Sequence, residues 1–228
     1  MDISKKLTKI AENIQNVYKA GQLSSGGGDI IDLARYAKTF YFGTDVGLPE
    51  NLVVNLDTTT SLANFITGIN FLTVKHLTIN CPNQITSMNR TFYGQINFYT
   101  IGMEHITLNF DTSKNTSYRQ AFVVMPNLKT IDGTPLDFSS ATDVTQLFAN
   151  CPVLEEVWVA KETIKMNMDI SSVTTLSVDS LLSFLYGLYD YSTDASSTSH
   201  TFKIGTANLN KLTDTQKAIA TEKGWSLT

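Results

Sequence analysis

Hydrophobic and polar residues alternate in short bursts through the middle of the chain, and the bursts recur. "NLVVN" (51–55), "HLTIN" (76–80), "HITLN" (105–109), "TIDGT" (130–134) and "EVWVA" (156–160) share one position. Leu52, Leu77, Ile106, Ile131 and Val157 occupy it, at spacings of 25, 29, 25 and 26 residues. A second marker keeps step: Phe65, Phe92, Phe122 and Phe148 fall 27, 30 and 26 residues apart. Two markers on one period of about 25 residues predict a solenoid of repeated units. Within each burst the period is two, so Leu52 and Val54, Leu77 and Ile79, Ile106 and Leu108, and Val157 and Val159 face inward. Strands this short do not hold together alone. Stacked in parallel they form a ladder with a spacing of about 4.8 Å.

Each Phe marker lies on a return segment: "SLANFITGI", "SMNRTFYGQ", "TSYRQAFVVMPNL" and "TDVTQLFANCPVL". The residues before each Phe are compatible with helix, and a Ser or Thr stands near each start as an N-cap. Asn55, Asn80 and Asn109 close three of the strands, where stacked amides are expected to satisfy turn backbone groups.

The flanks read differently. Over residues 1–20, Ile3, Leu7, Ile10, Ile14 and Val17 fall at spacings of 4, 3, 4 and 3, a heptad seam. A helix this short is marginal alone. It either docks on its own body or zips with copies of itself, and Ile or Leu at both seam positions then favours a trimer. "GQLSSGGG" (21–28) reads as a flexible linker. Residues 29–48 form an N-terminal cap, with a short helix over 29–36 and a strand at "TFYF". At the other end, "SVDSLLSFLYGLYD" (177–190) is an apolar helix placed to cover the open end of the repeats. "HTFKIG" (200–205) is a strand. "LTDTQKAIATEKGW" is a helix with Thr213 as N-cap, Gln216 completing a capping box and Gly224 at its C-terminal stop. Trp225 and Leu227 begin a last strand. The fold class is therefore α/β: about five short parallel strands with helical or irregular returns (49–176), and an α/β C-terminal cap (177–228).

Composition adds little to this and removes several classes. The chain has 228 residues, 42% of them hydrophobic, and a net charge of −4. No cluster of Lys and Arg exists to hold phosphates, so nucleic acid is not an expected partner. Two cysteines, Cys81 and Cys151, read as small buried thiols rather than a disulfide framework. "MDISKKLTKIAENIQ" lacks the apolar core of a secretory signal, and no run of about 18 apolar residues predicts insertion into a membrane.

The stretch "LNFDTSKNTSYRQAFVVMPNLKTIDGTPLDFSSATDVTQLFANCPVLEEV" (108–157) resembles the BspA-like leucine-rich repeats. That family writes a strand, then "FDTSxVT", then "MFxxCxxL". Here "FDTS" is Phe110–Ser113, "DFSSATDVTQLFANCPVL" is the better copy, and "AFVVMPNL" places Met125 at the usual Cys position. The likeness covers roughly 50–160. The termini "LTKIAENIQNVYKAG" and "ANLNKLTDTQKAIATEKGWSL" resemble those of repeat proteins encoded by phages and prophages of gut Firmicutes and their relatives. The resemblance implies a virion-associated structural or host-adhesion protein, made in the host cytoplasm, with other virion proteins and a host glycan or protein as partners. It carries over no catalytic residue. A bacterial cell-surface adhesin or interaction module is the alternative.

Candidate chemistry is sparse. His76 and His105 are expected as outward neighbours in the ladder. A metal would need a third ligand, and the next residues in their column are Thr130 and Glu156, so no metal and no cofactor is expected. No GxSxG, HExxH, Walker or Rossmann pattern occurs, and no pair of carboxylates is set apart by two motifs, so an enzyme is not expected. The default binding face is the outward side of the strands. One column is His76, His105, Thr130 and Glu156. The adjacent one is Thr78, Thr107, Asp132 and Trp158. Trp158 either anchors a sugar or protein partner or packs under the C-terminal cap.

Overall fold

A computed structural model describes residues 23–24, 50–56, 58–65, 73–93, 102–193 and 199–228. The heptad seam Ile3, Leu7, Ile10, Ile14 and Val17 and the cap expected over 29–48 lie outside the described residues. The architecture is α/β. Six parallel strands follow one another in chain order: β1 (Leu23–Ser24), β2 (Asn51–Asn55), β3 (His76–Asn80), β4 (His105–Asn109), β5 (Thr130–Leu136) and β6 (Glu156–Val159). A second parallel sheet, in the order β7 (Met168–Asp169), β8 (His200–Lys203) and β9 (Trp225–Leu227), follows with helices α1 (Val178–Gly187), α2 (Gly205–Leu209) and α3 (Asp214–Glu222). The layout is solenoid-like, because each strand neighbours the next in sequence.

The period-two pattern sets the register. Leu52, Leu77, Ile106, Ile131 and Val157 are consecutive partners across β2 to β6, and all five are buried. Leu23 and Ser24, within the stretch read as a linker, instead pair with Val54 and Asn55. Edge strand β2 has backbone groups to offer there, so the chain uses them.

The return segments depart from the helical expectation. They are turns, and Asn64, Arg90, Gln120 and Gln146 hold left-handed φ values of 57°, 55°, 53° and 55° in them. A helix tolerates no such residue in its interior. The turns hydrogen-bond from unit to unit instead. Met88 N, Arg90 N and Phe92 N donate to Ser117 O, Arg119 O and Ala121 O. Tyr118 N, Gln120 N and Phe122 N donate in turn to Asp143 O, Thr145 O and Leu147 O. The return side is thus a second ladder, and backbone groups that a lone turn would leave to water are paired.

Between the two ladders runs a file of aromatic rings. Phe92 and Phe122 stack at 5.2 Å between centroids, and Phe122 and Phe148 at 5.7 Å. The file continues through Phe184 of α1 at 6.3 Å to Phe202 of β8 at 5.9 Å. Phe65 meets Phe92 edge-on, at 79°. The left-handed residue precedes Phe65 by one position but Phe92, Phe122 and Phe148 by two. Phe65 is therefore one place out of step and approaches from a different side.

Helix α1 closes the open edge of β6 with two hydroxyls. Ser180 Oγ accepts from Val157 N at 3.0 Å and donates to Val157 O at 3.1 Å. Ser183 Oγ accepts from Val159 N at 2.8 Å and donates to Val159 O at 3.4 Å. Each serine stands in for a missing neighbour strand, which is how the sheet ends without an exposed edge. Ser180 is fully buried. Ser180→Ala is expected to cost about 1–3 kcal/mol for the groups left unpaired, a fall in melting temperature of roughly 2–12 °C, measured by calorimetry. Part-buried Ser183→Ala should cost less, since water can replace that hydroxyl.

Candidate functional site

The outward side of β2 to β6 carries the expected columns, in register as far as β5. His76 pairs with His105, His105 with Thr130, and Thr130 with Glu156. The two imidazoles stack at 4.6 Å and 11°. His105 Nδ1 lies 2.8 Å from Thr130 Oγ1. Stacked face to face, the rings do not converge on a common point, so this pair has no chelating geometry. Among the described residues no group of three His, Cys, Asp or Glu is arranged to hold a metal.

The second column runs Thr78, Thr107, Asp132 and then breaks. The register between β5 and β6 shifts between Ile131 and Leu136, where Leu136 pairs with Val159. The column therefore does not run on in register from Asp132 to Trp158, as simple alignment of the strands predicts. The cause is a bulge: β5 spends "DGTP" where β6 has Trp158 alone between Val157 and Val159. Gly133 (φ +92°) starts it and Pro135 needs no ladder donor. Asp132 Oδ1 is buried there with no hydrogen-bond partner. Trp158 is 37% exposed.

Two further columns border this face. Asn80 Nδ2 donates to Asn55 Oδ1 at 2.7 Å, and Asn109 Nδ2 to Asn80 Oδ1 at 2.8 Å. These amides bond one another along the stack, in addition to any backbone group they serve. Just before the strands, Glu50, Lys75, Glu104, Lys129 and Glu155 follow each other through consecutive backbone hydrogen bonds. Their charges alternate, with ion pairs Lys75–Glu50 and Lys129–Glu104 both at 2.6 Å. The hydrogen bond and charge of Lys129 hold Glu104 below the usual carboxylate range. All of this lies at the surface, where solvent screens each pair and its contribution is small.

The remaining reactive groups are structural. Cys151 is buried and its thiol donates to Phe122 O at 3.2 Å. Burial pushes its pKa up to about 12, which withholds the thiolate a nucleophile needs. Cys81 is likewise buried and outside any disulfide. His200 stacks on Tyr191 at 3.9 Å, beside Trp225.

One feature of the surface had no counterpart in the sequence reading. A cleft of about 650 Å³ opens on the return side, lined by Thr142 to Gln146, Ala149, Met166, Asn167, Asp169, Ser171 and Ser172. "LDFSSAT" (136–142) leads into the first wall at Thr142, and its near copy "MDISSVT" (168–174) supplies part of the second. That likeness was the available signal.

Compared with protein-family models, with curated proteins and with solved structures, the chain matches none. Among the described residues no helix is long and apolar enough to cross a membrane.

Proposed function

We propose that the chain is a non-catalytic leucine-rich-repeat protein of the BspA-like kind, carried on a phage or prophage particle as a structural or host-adhesion component. One observation supports a recognition surface most directly. The outward strand positions form in-register polar columns, His76–His105–Thr130–Glu156 and Thr78–Thr107–Asp132, beside an exposed Trp158. An exposed indole beside polar columns is the chemistry of a binding anchor. A host surface glycan or protein is the partner of this reading. Self-association through the seam Ile3, Leu7, Ile10, Ile14 and Val17, as a trimer, would make such binding multivalent.

The test has two parts. Mass spectrometry of purified particles should find the chain in virions, and its absence from them refutes the particle role. Trp158→Ala should then weaken adsorption to host cells at least tenfold with the melting temperature unchanged, whereas a lower melting temperature would mean that Trp158 packs under the C-terminal cap. Unchanged adsorption would remove Trp158 from the site. Presence of the chain on the bacterial envelope, with no particle association, would favour the cell-surface adhesin.

A further inference from the structure

The return-side cleft is the place of a missing rung. In each earlier unit, alternate backbone N–H groups of the return turn donate to carbonyls of the next turn: Met88 and Arg90 to Ser117 and Arg119, then Tyr118 and Gln120 to Asp143 and Thr145. The equivalent donors one rung on are Val144 N and Gln146 N. Neither has a hydrogen-bond acceptor among the described residues. The reason is local. Thr142 N still donates to Thr116 O at 2.8 Å and Ser140 Oγ to Ser113 O at 2.6 Å. The look-alike row 168–174 instead joins the second sheet, with Ile170 N donating to Lys203 O at 2.8 Å. The two rows part, and the cleft opens between them with both donors on its wall.

We propose that this cleft binds an extended, net-basic peptide segment of a partner protein, whose backbone carbonyls occupy the vacant rung. Three observations fit one occupant. First, the donors at Val144 and Gln146 stand two residues apart, the spacing at which an extended chain repeats its carbonyls on one side. Second, the lining includes two carboxylates, Asp143 and Asp169, and no Lys or Arg. Hydrogen bonds from Thr145 hold Asp143 low. Burial works upward on Asp169, but its bonds from Ser171 and Lys203 outweigh it and keep that group low as well. Lys203 pairs with Asp169 at 3.0 Å from outside the lining, whereas Arg119 acts on Asp143 by charge without forming an ion pair, which leaves Asp143 as the less compensated charge. Third, the volume lies within the roughly 300–1,000 Å³ of small-ligand sites, and Val144, Ala149 and Met166 give it an apolar strip. This site is separate from the outward strand face and does not depend on it.

The chain supplies its own probe. A synthetic capped peptide of residues 116–122, "TSYRQAF", carries the carbonyls that accept from Met88, Arg90 and Phe92 in the folded protein, and it carries one Arg. Titrated into the labelled full-length protein, it should shift the amide resonances of Val144 and Gln146. Ser172→Trp, which fills the cleft from an exposed position, should weaken binding at least tenfold. Asp143→Asn keeps the oxygen that caps Thr145 N but removes the charge, and should weaken binding about threefold or more. Absence of binding at millimolar peptide overturns the proposal. So does binding that Ser172→Trp leaves intact, or shifts confined to the outward strand columns. If a neutral chito-oligosaccharide binds in the cleft and the peptide does not, the site is a glycan site and the peptide assignment fails.

Discussion

Phe122→Ala is expected to destabilise the protein by about 3–5 kcal/mol. The side chain is fully buried and has a ring neighbour on each side, Phe92 at 5.2 Å and Phe148 at 5.7 Å. Both walls of the resulting hole are tied to their own rungs by backbone bonds, from Phe92 N to Ala121 O and from Phe122 N to Leu147 O. They cannot slide together to fill it. In a stacked array each unit is held mainly by its neighbours, so two interfaces weaken at once. The loss should also divide the melt. Trp158 and Trp225 both lie C-terminal to the hole, so tryptophan emission should report a later transition than far-ultraviolet circular dichroism. A loss under about 1 kcal/mol in urea denaturation would show that the aromatic file is not what holds the units together.

The second large effect belongs to a glycine. Gly133 has φ +92°, and a Cβ built on it would stand 2.4 Å from Leu108 O and 3.0 Å from Asn109 Oδ1. The first of these is backbone of the adjacent strand and has no rotamer to move to. Gly133→Ala should therefore combine left-handed strain of about 1–3 kcal/mol with a clash of about 1–3 kcal/mol. Gly224 is the control. It has φ +82°, but its nearest neighbour would be Tyr191 Cβ at 3.4 Å, an ordinary contact. Gly224→Ala should show the strain alone. Equal losses at the two positions, measured by chemical denaturation, would mean that the β4–β5 approach is looser than its geometry.

What could be read in advance, and what could not, follows from the range of the interactions. The capping box of Thr213 and Gln216 is local, and it is present at 2.9 and 3.2 Å. The outward pairing of His76 with His105 came from a two-residue period that leaves no freedom once one face is buried. The bulge after Asp132 broke the last column because "DGTP" announces a turn without saying how many residues it will spend. Between helical and irregular returns the sequence does not decide, because left-handed Arg90, Gln120 and Gln146 are not glycines and composition gives no warning of them. In Ser180 and Ser183 the sequence displays only two small polar residues in an apolar helix. That they close a sheet edge depends on where the helix lands. Of the return-side cleft the sequence shows only the likeness of 136–142 and 168–174, since the cleft itself arises from two similar rows failing to meet.

The alternating charges Glu50, Lys75, Glu104, Lys129 and Glu155 impose a parity on the array. If one unit were lost by recombination between the near-identical "HLTIN" and "HITLN" segments, Glu104 would go with it, and Lys75 would become the neighbour of Lys129, a residue of like sign. Loss or gain of two units would restore the alternation. Each contact is weak and screened by solvent, so the rule biases rather than forbids. Over many generations such a column would let the array grow and shrink more readily in pairs of units than singly.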